Sequence, residues 1–179
     1  MIGKTLLYVI KITKLNQLNP FSLPKAERVP KQKMNKSELL QIIQNKLSEK
    51  IENLERLIAE TRAANNETKS SMGDKYETGR EMVQQEINNL QVQLNAFSNS
   101  LNMVKNINPV PHQSIGFGSL VETENGKFFI SVSWGEVRLN GEKIFVISTE
   151  SPLAKVMHGK KAGETFIVNN IGQTIKNIW

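Results

Sequence analysis

The 179-residue chain has no cysteine, only two histidines and a single aspartate. The lack of cysteine excludes disulfides, thiolate metal sites and cysteine nucleophiles. His112 and His158 are too few for a multi-histidine metal centre within one chain. Aromatic residues amount to 6%. No uninterrupted apolar run approaches the roughly 20 residues that a bilayer-spanning helix needs. No nucleophile, base and orienting group can be assembled from the spacing of the remaining residues. These absences predict a soluble, cytoplasmic protein with no membrane association that is not itself an enzyme.

The net charge of +6 and pI near 9.5 would ordinarily point to nucleic acid or an anionic membrane. The location of the charge argues otherwise. Residues 1–33 carry seven basic side chains (Lys4, Lys11, Lys14, Lys25, Arg28, Lys31 and Lys33) against Glu27 alone, which is the whole excess. From Met34 onward 16 basic residues balance 16 acidic ones. The basic extension begins like a secretion signal, but Lys11 and Lys14 interrupt its apolar region too early. Pro20, Pro24 and Pro30 then break regular structure. A disordered tail, a weak membrane-surface anchor and a segment foreign to the natural protein all fit residues 1–33, and Met34 directly before a helical pattern favours the last.

Two amphipathic stretches follow. Leu40, Leu47, Ile51, Leu54 and Ile58 form one stripe, which Ile43 and Leu57 widen. Val83, Ile87, Leu90, Leu94, Phe97, Leu101 and Val104 alternate steps of four and three, the spacing of a coiled-coil seam. A polar, turn-rich segment separates the two. The pattern predicts an antiparallel helical hairpin over 34–107 with its tip near 68–76, an arm of roughly 45 Å at 1.5 Å per residue. A two-stranded coiled-coil dimer has the same periodicity and stays open; the similar lengths of the two stripes favour a monomeric hairpin.

Pro109 and Pro111 mark a linker at 108–115. Beyond it the period changes to that of strands, predicted at 118–122, 127–134, 143–148, 164–169 and 174–179, with turns at Glu124-Asn125-Gly126 and Asn140-Gly141. Ser151 and Pro152 open a short helix as N-cap and first residue, with Leu153, Val156 and Met157 on one face and Gly159 beyond its end. The fold class is α+β: a helical hairpin, then a small antiparallel sheet domain with one short helix over 116–179.

Gly116-Phe117-Gly118 reads as a strand-entry turn, since a dinucleotide loop needs a preceding strand and a third glycine. Gly159-Lys160-Lys161 reads as a helix exit with solvated lysines. More informative is Gly73-Asp74-Lys75-Tyr76-Glu77 at the tip. Asp74 and Glu77 have the spacing of a capping box. Two carboxylates at the end of an arm also suit Mg²⁺, which commonly takes one or two protein carboxylates and keeps several waters. The two readings are compatible, because a cap fixes where the carboxylates point.

At these residues the chain resembles the Gre transcript-cleavage factors, bacterial elongation factors that act on backtracked RNA polymerase. The resemblance covers 35–179. It rests on GFGSLV at 116–121, SPLAKVMHGKKAGETF at 151–166, and the acidic tip, where Asp74 and Glu77 fall on the family's two acidic positions. It implies an FKBP-like C-terminal domain that docks on the polymerase through the segment holding Ser151, Pro152, Lys155, Lys160 and Lys161. It also implies an arm inserted in the secondary channel, touching nascent RNA only at its tip. Asp74 and Glu77 would there help to retain a Mg²⁺ shared with the polymerase active site and not bound tightly by this chain alone. Such a factor is an accessory to the polymerase's own hydrolysis. The family tip usually continues Asn-Ala-Glu-Tyr, whereas this chain has Thr78-Gly79-Arg80-Glu81. Three alternatives remain: a channel-binding regulator without cleavage activity, a coiled-coil adaptor, and a prolyl isomerase with an aromatic-lined pocket.

Overall fold

Asn35 starts the first helix. Its Oδ1 accepts the backbone N–H groups of Ser37 (3.1 Å) and Glu38 (3.3 Å), two of the donors that a helix start leaves unpaired. The computed structural model describes residues 34–67 and 77–179. Helix α1 spans Lys36–Glu67 and α2 spans Glu77–Lys105. The basic extension at 1–33 and the expected tip at 68–76 lie outside the described residues. Among the described residues, no helix is long and apolar enough to cross a membrane.

The two helices pack along their lengths, with Leu54, Ile58, Ile87 and Leu90 buried together and Val83, Leu94 and Phe97 partly buried against them. The nine residues between the helices reach at most roughly 32 Å when fully extended. A 29-residue helix is roughly 44 Å long, so a parallel return is impossible and the hairpin is antiparallel. Burial corrects one detail of the sequence pattern. Leu57 is 44% exposed and belongs to the outer surface.

The sheet is built from β1 (Leu120–Thr123), β2 (Lys127–Ser131), β3 (Gly135–Leu139), β4 (Glu142–Ser148), β5 (Thr165–Val168) and β6 (Ile171–Ile178), in the order β3-β4-β2-β1-β6-β5. Four of its five pairings are antiparallel. The fifth, β2 with β4, is parallel, so the sheet is mixed where an antiparallel one was expected. The reason is β3. Its only buried residues are Val137 and Leu139, a thin apolar pattern suited to an edge strand that merges in sequence with the end of β2. Once β3 turns back antiparallel onto β4, β4 runs in the same direction as β2.

The turns sit where glycine and asparagine allow. Asn140 and Gly141 have φ of 54° and 80°, and Asn169 and Asn170 have 50° and 62°. Positive φ at both central residues is the mark of a tight hairpin turn. Leu120 and Val121 point to opposite faces yet both are fully buried, as are Phe129 and, nearly so, Ile130. The central strands are therefore covered on both sides. Helix α3 (Pro152–Met157) closes one face, where Ala154 and Met157 join Ile115, Val121, Ile130, Phe166 and Ile175. Val156, expected on that inner face, is 37% exposed instead.

Residues Asn35–Trp179 form one compact unit. Within it the base of the hairpin meets the sheet: α1 packs against β3, and Phe97 lies edge-on to Trp134 with ring centroids 6.2 Å apart. The Lys50 ammonium sits 5.8 Å from the centre of the same Phe97 ring.

Candidate partner-binding site

The residues singled out in the sequence fall at two separate places. Asp74 lies outside the described residues. Glu77 is the first residue of α2, and its side chain is likewise outside them. What the described chain contributes is their setting: α1 ends at Glu67 and α2 begins at Glu77, at the end of the arm remote from Lys36 and Lys105. Gly79 and Arg80 follow in the first turn and are both exposed. Among the described residues no group of three His, Asp or Glu side chains is placed to hold a metal ion. Two carboxylates such as those of Asp74 and Glu77, with water in the other positions, are a donor set that Mg²⁺ accepts.

The second place is the surface formed by α3 and the turn after it. Ser151 is extended (φ −63°, ψ 144°), and its Oγ accepts the Ala154 N–H at 3.2 Å, with Pro152 in the first helical turn. This cap sets the axis of a helix only six residues long. Lys155 projects outward and pairs with Glu150 at 2.9 Å. The hydrogen bond from Lys155, and then its charge, hold the Glu150 carboxyl below the usual range. Gly159 has φ of 75° and ends the turn.

Two backbone hydrogen bonds then clasp the segment to the strand-entry loop: Gly159 donates to Ile115 at 2.8 Å, and Ile115 donates to Lys160 at 2.9 Å. Lys161 donates its N–H to the Glu164 carboxylate. Ser151, Pro152, Lys155, Lys160 and Lys161 are thus brought onto one continuous segment whose backbone is held at both ends. Its exposed apolar component is Val156, and Phe117 on the clasped loop is 39% exposed. Positive charges around a small apolar patch suit a protein surface with acidic groups.

Five of the aromatic residues that an isomerase pocket would draw on are otherwise engaged. Phe129 and Phe166 are buried in the sheet, Phe128 stacks on Phe145, and Trp134 meets Phe97.

A third cluster was missed by sequence reasoning. The Lys36 ammonium donates to the Val110 carbonyl at 2.7 Å, joining the start of α1 to the segment after α2. Burial pushes its pKa down to about 8. Nearby, His112 Nδ1 lies 2.6 Å from Ser119 Oγ, which also accepts the Gly116 N–H at 2.9 Å. Burial, and then the charge of Lys36, lower the His112 pKa. The one available signal was a lysine in the first turn of a helix, where the macrodipole disfavours a cation.

No protein-family model matches the chain, and no curated protein matches it. Among solved structures it is similar to Gfh1 of Thermus aquaticus, with 18% identity over 75% of this chain and 92% of that one, at a TM-score of 0.30. It is also similar to GreA factor homolog 1 (Gfh1) of Thermus thermophilus, with 19% identity over 76% and 94% and a TM-score of 0.31. A third structure, of the transcription factor Gfh1, shows 19% identity over 74% and 89% with a TM-score of 0.28. Scores this low do not establish a common spatial arrangement.

Proposed function

We propose that the chain is a Gre-like, cytoplasmic transcription elongation factor that binds RNA polymerase, an accessory and not an enzyme in its own right. The observation that carries this reading is the distance between two kinds of surface. Paired helices of 32 and 29 residues separate the acidic Asp74 and Glu77 segment from the basic, capped Ser151–Lys161 segment. A long arm with chemistry at its end is what a factor needs to act inside a partner while docking outside it. In this reading Ser151, Pro152, Lys155, Lys160 and Lys161 hold the polymerase surface, the arm enters the secondary channel, and nascent RNA is touched only at the tip.

Asp74 and Glu77 would hold a Mg²⁺ jointly with the polymerase active site. When bound, that ion supplies Lewis-acid stabilisation during hydrolysis of the RNA phosphodiester. This chain's part is to present the Asp74 and Glu77 carboxylates at the end of the arm where α2 begins. Cleavage of a backtracked complex tests this. Asp74→Asn and Glu77→Gln should each abolish stimulation while polymerase binding is retained. Unchanged cleavage in both variants, or none with wild type, removes the tip chemistry.

A second reading, a channel-occupying regulator without cleavage activity, is favoured by one feature. Arg80 follows Glu77 at the three-residue spacing of neighbours on a helix and is exposed, so it competes with a metal for the carboxylate. The same assay separates the two: binding with no cleavage selects the regulator.

A further inference from the structure

The two outer surfaces of the arm differ in a way the hairpin fold does not require. Helix α1 carries nine charged residues between Glu38 and Arg62, whereas α2 carries none from Ile87 to Val104. At the chain's own 22% charged residues, that eighteen-residue stretch would hold about four. Gln85, Asn89, Val92, Ala96, Asn99 and Met103 repeat at steps of four and three on the side of α2 away from its seam, and every one of them is exposed. Val92 is 68% exposed and Met103 46%. Flanking amides are already paired, Gln84 with Asn88 at 3.0 Å and Gln91 with Asn95 at 3.4 Å.

Solubility alone favours charge on such a surface, as α1 shows. A face that will be covered favours its absence, because desolvating a paired amide costs far less than desolvating a charge. Cores of protein interfaces are likewise depleted of charged residues and enriched in methionine. We infer that this uncharged stripe of α2 is the side of the arm that lies against a protein wall of neutral, polar and aliphatic chemistry, with the charged side of α1 turned to solvent. A nucleic-acid backbone is not the occupant, since phosphates are met by Lys and Arg. Neither is a second copy: one face of a single helix falls well short of the ~800 Å² per partner typical of a stable interface. The Ser151–Lys161 segment, docked on the same partner in the proposed function, supplies the remaining area. The inference rests on the proposed function, with the wall of the polymerase channel as the occupant.

The test compares two pairs of substitutions at exposed positions, Val92→Glu with Ala96→Glu on α2 and Ala59→Glu with Ala63→Glu on α1. Binding of the full chain to core RNA polymerase is measured, with thermal melts to show that both variants fold. The α2 pair should weaken binding more than tenfold and the α1 pair less than threefold, since an unpaired charge buried in an interface is costly. Equal losses, or a larger loss from α1, overturn the inference while polymerase binding stands. Wild-type protein that does not bind polymerase removes the proposed function and this inference together. A dimer in sedimentation that Val92→Glu dissociates would assign the stripe to a second copy and overturn it as well.

Discussion

Lys36 Nζ and the Val110 carbonyl oxygen lie 2.7 Å apart, so the first turn of α1 holds the segment that leaves α2. The ammonium is buried and sits at the unfavourable end of the α1 dipole. Its folded pKa of about 8 is below the ordinary 10.5, so between those values the unfolded chain binds more protons. Stability should therefore rise as pH increases from about 8 to 10.5 and stay at its lower plateau below that window. Thermal melts should show this rise in wild type and lose it in Lys36→Met.

His112 works in the acid range. His112 Nδ1 and the buried Ser119 hydroxyl share a hydrogen bond of 2.6 Å, in which the ring's tautomer sets the donor. Burial, and then the charge of Lys36, disfavour the imidazolium. The lowered His112 pKa means stability is fully present above about 6.5 and falls as pH drops through the folded value. His112→Asn should flatten that acid limb in melts between pH 7 and the carboxylate range.

The hairpin seam allows a matched comparison. Leu90 is 4% exposed and Leu57 44%. Leu90→Ala should cost about 2–4 kcal/mol by denaturant unfolding. Leu57→Ala should cost less than about 1 kcal/mol, as an exposed position with little packing to lose. Similar losses would show that Leu57 is packed after all.

Ser131 on β2 offers the opposite sign. Its Oγ is buried and, among the described residues, has no hydrogen-bond partner. Such a hydroxyl costs about 1 kcal/mol or more to bury. Ser131→Ala should raise the unfolding free energy by about 1 kcal/mol; destabilisation of that size would mean that the hydroxyl is satisfied.

Much of the architecture was legible because it rests on local rules. The four-and-three spacing from Val83 to Val104 marks the seam that buries Ile87 and Leu90, and Ser151-Pro152 marks a real cap. Asn140-Gly141 marks a real turn. What stayed hidden depends on partners distant in sequence. β3 shows only two inward residues, and nothing local says that β2 and β4 run parallel. Lys36 reads as one more solvated lysine until Val110, 74 residues away, comes beside it. Of the site, the Ser151–Lys161 segment was legible as a capped helix and its exit. Its clasp to Ile115 was not, because backbone hydrogen bonds between loops leave no trace in side-chain pattern.

The position of β6 has a consequence for synthesis. It lies between β1 and β5, and Leu120 and Trp179 exchange backbone hydrogen bonds at 3.1 and 2.9 Å. The arm consists of neighbours in sequence and closes while the chain is still on the ribosome. β1 must wait for a strand made some fifty residues later, with one edge open in the meantime. Translation speed over that interval sets how long the nascent chain presents an unpaired strand to its surroundings, and chaperone demand should concentrate there and not at the arm.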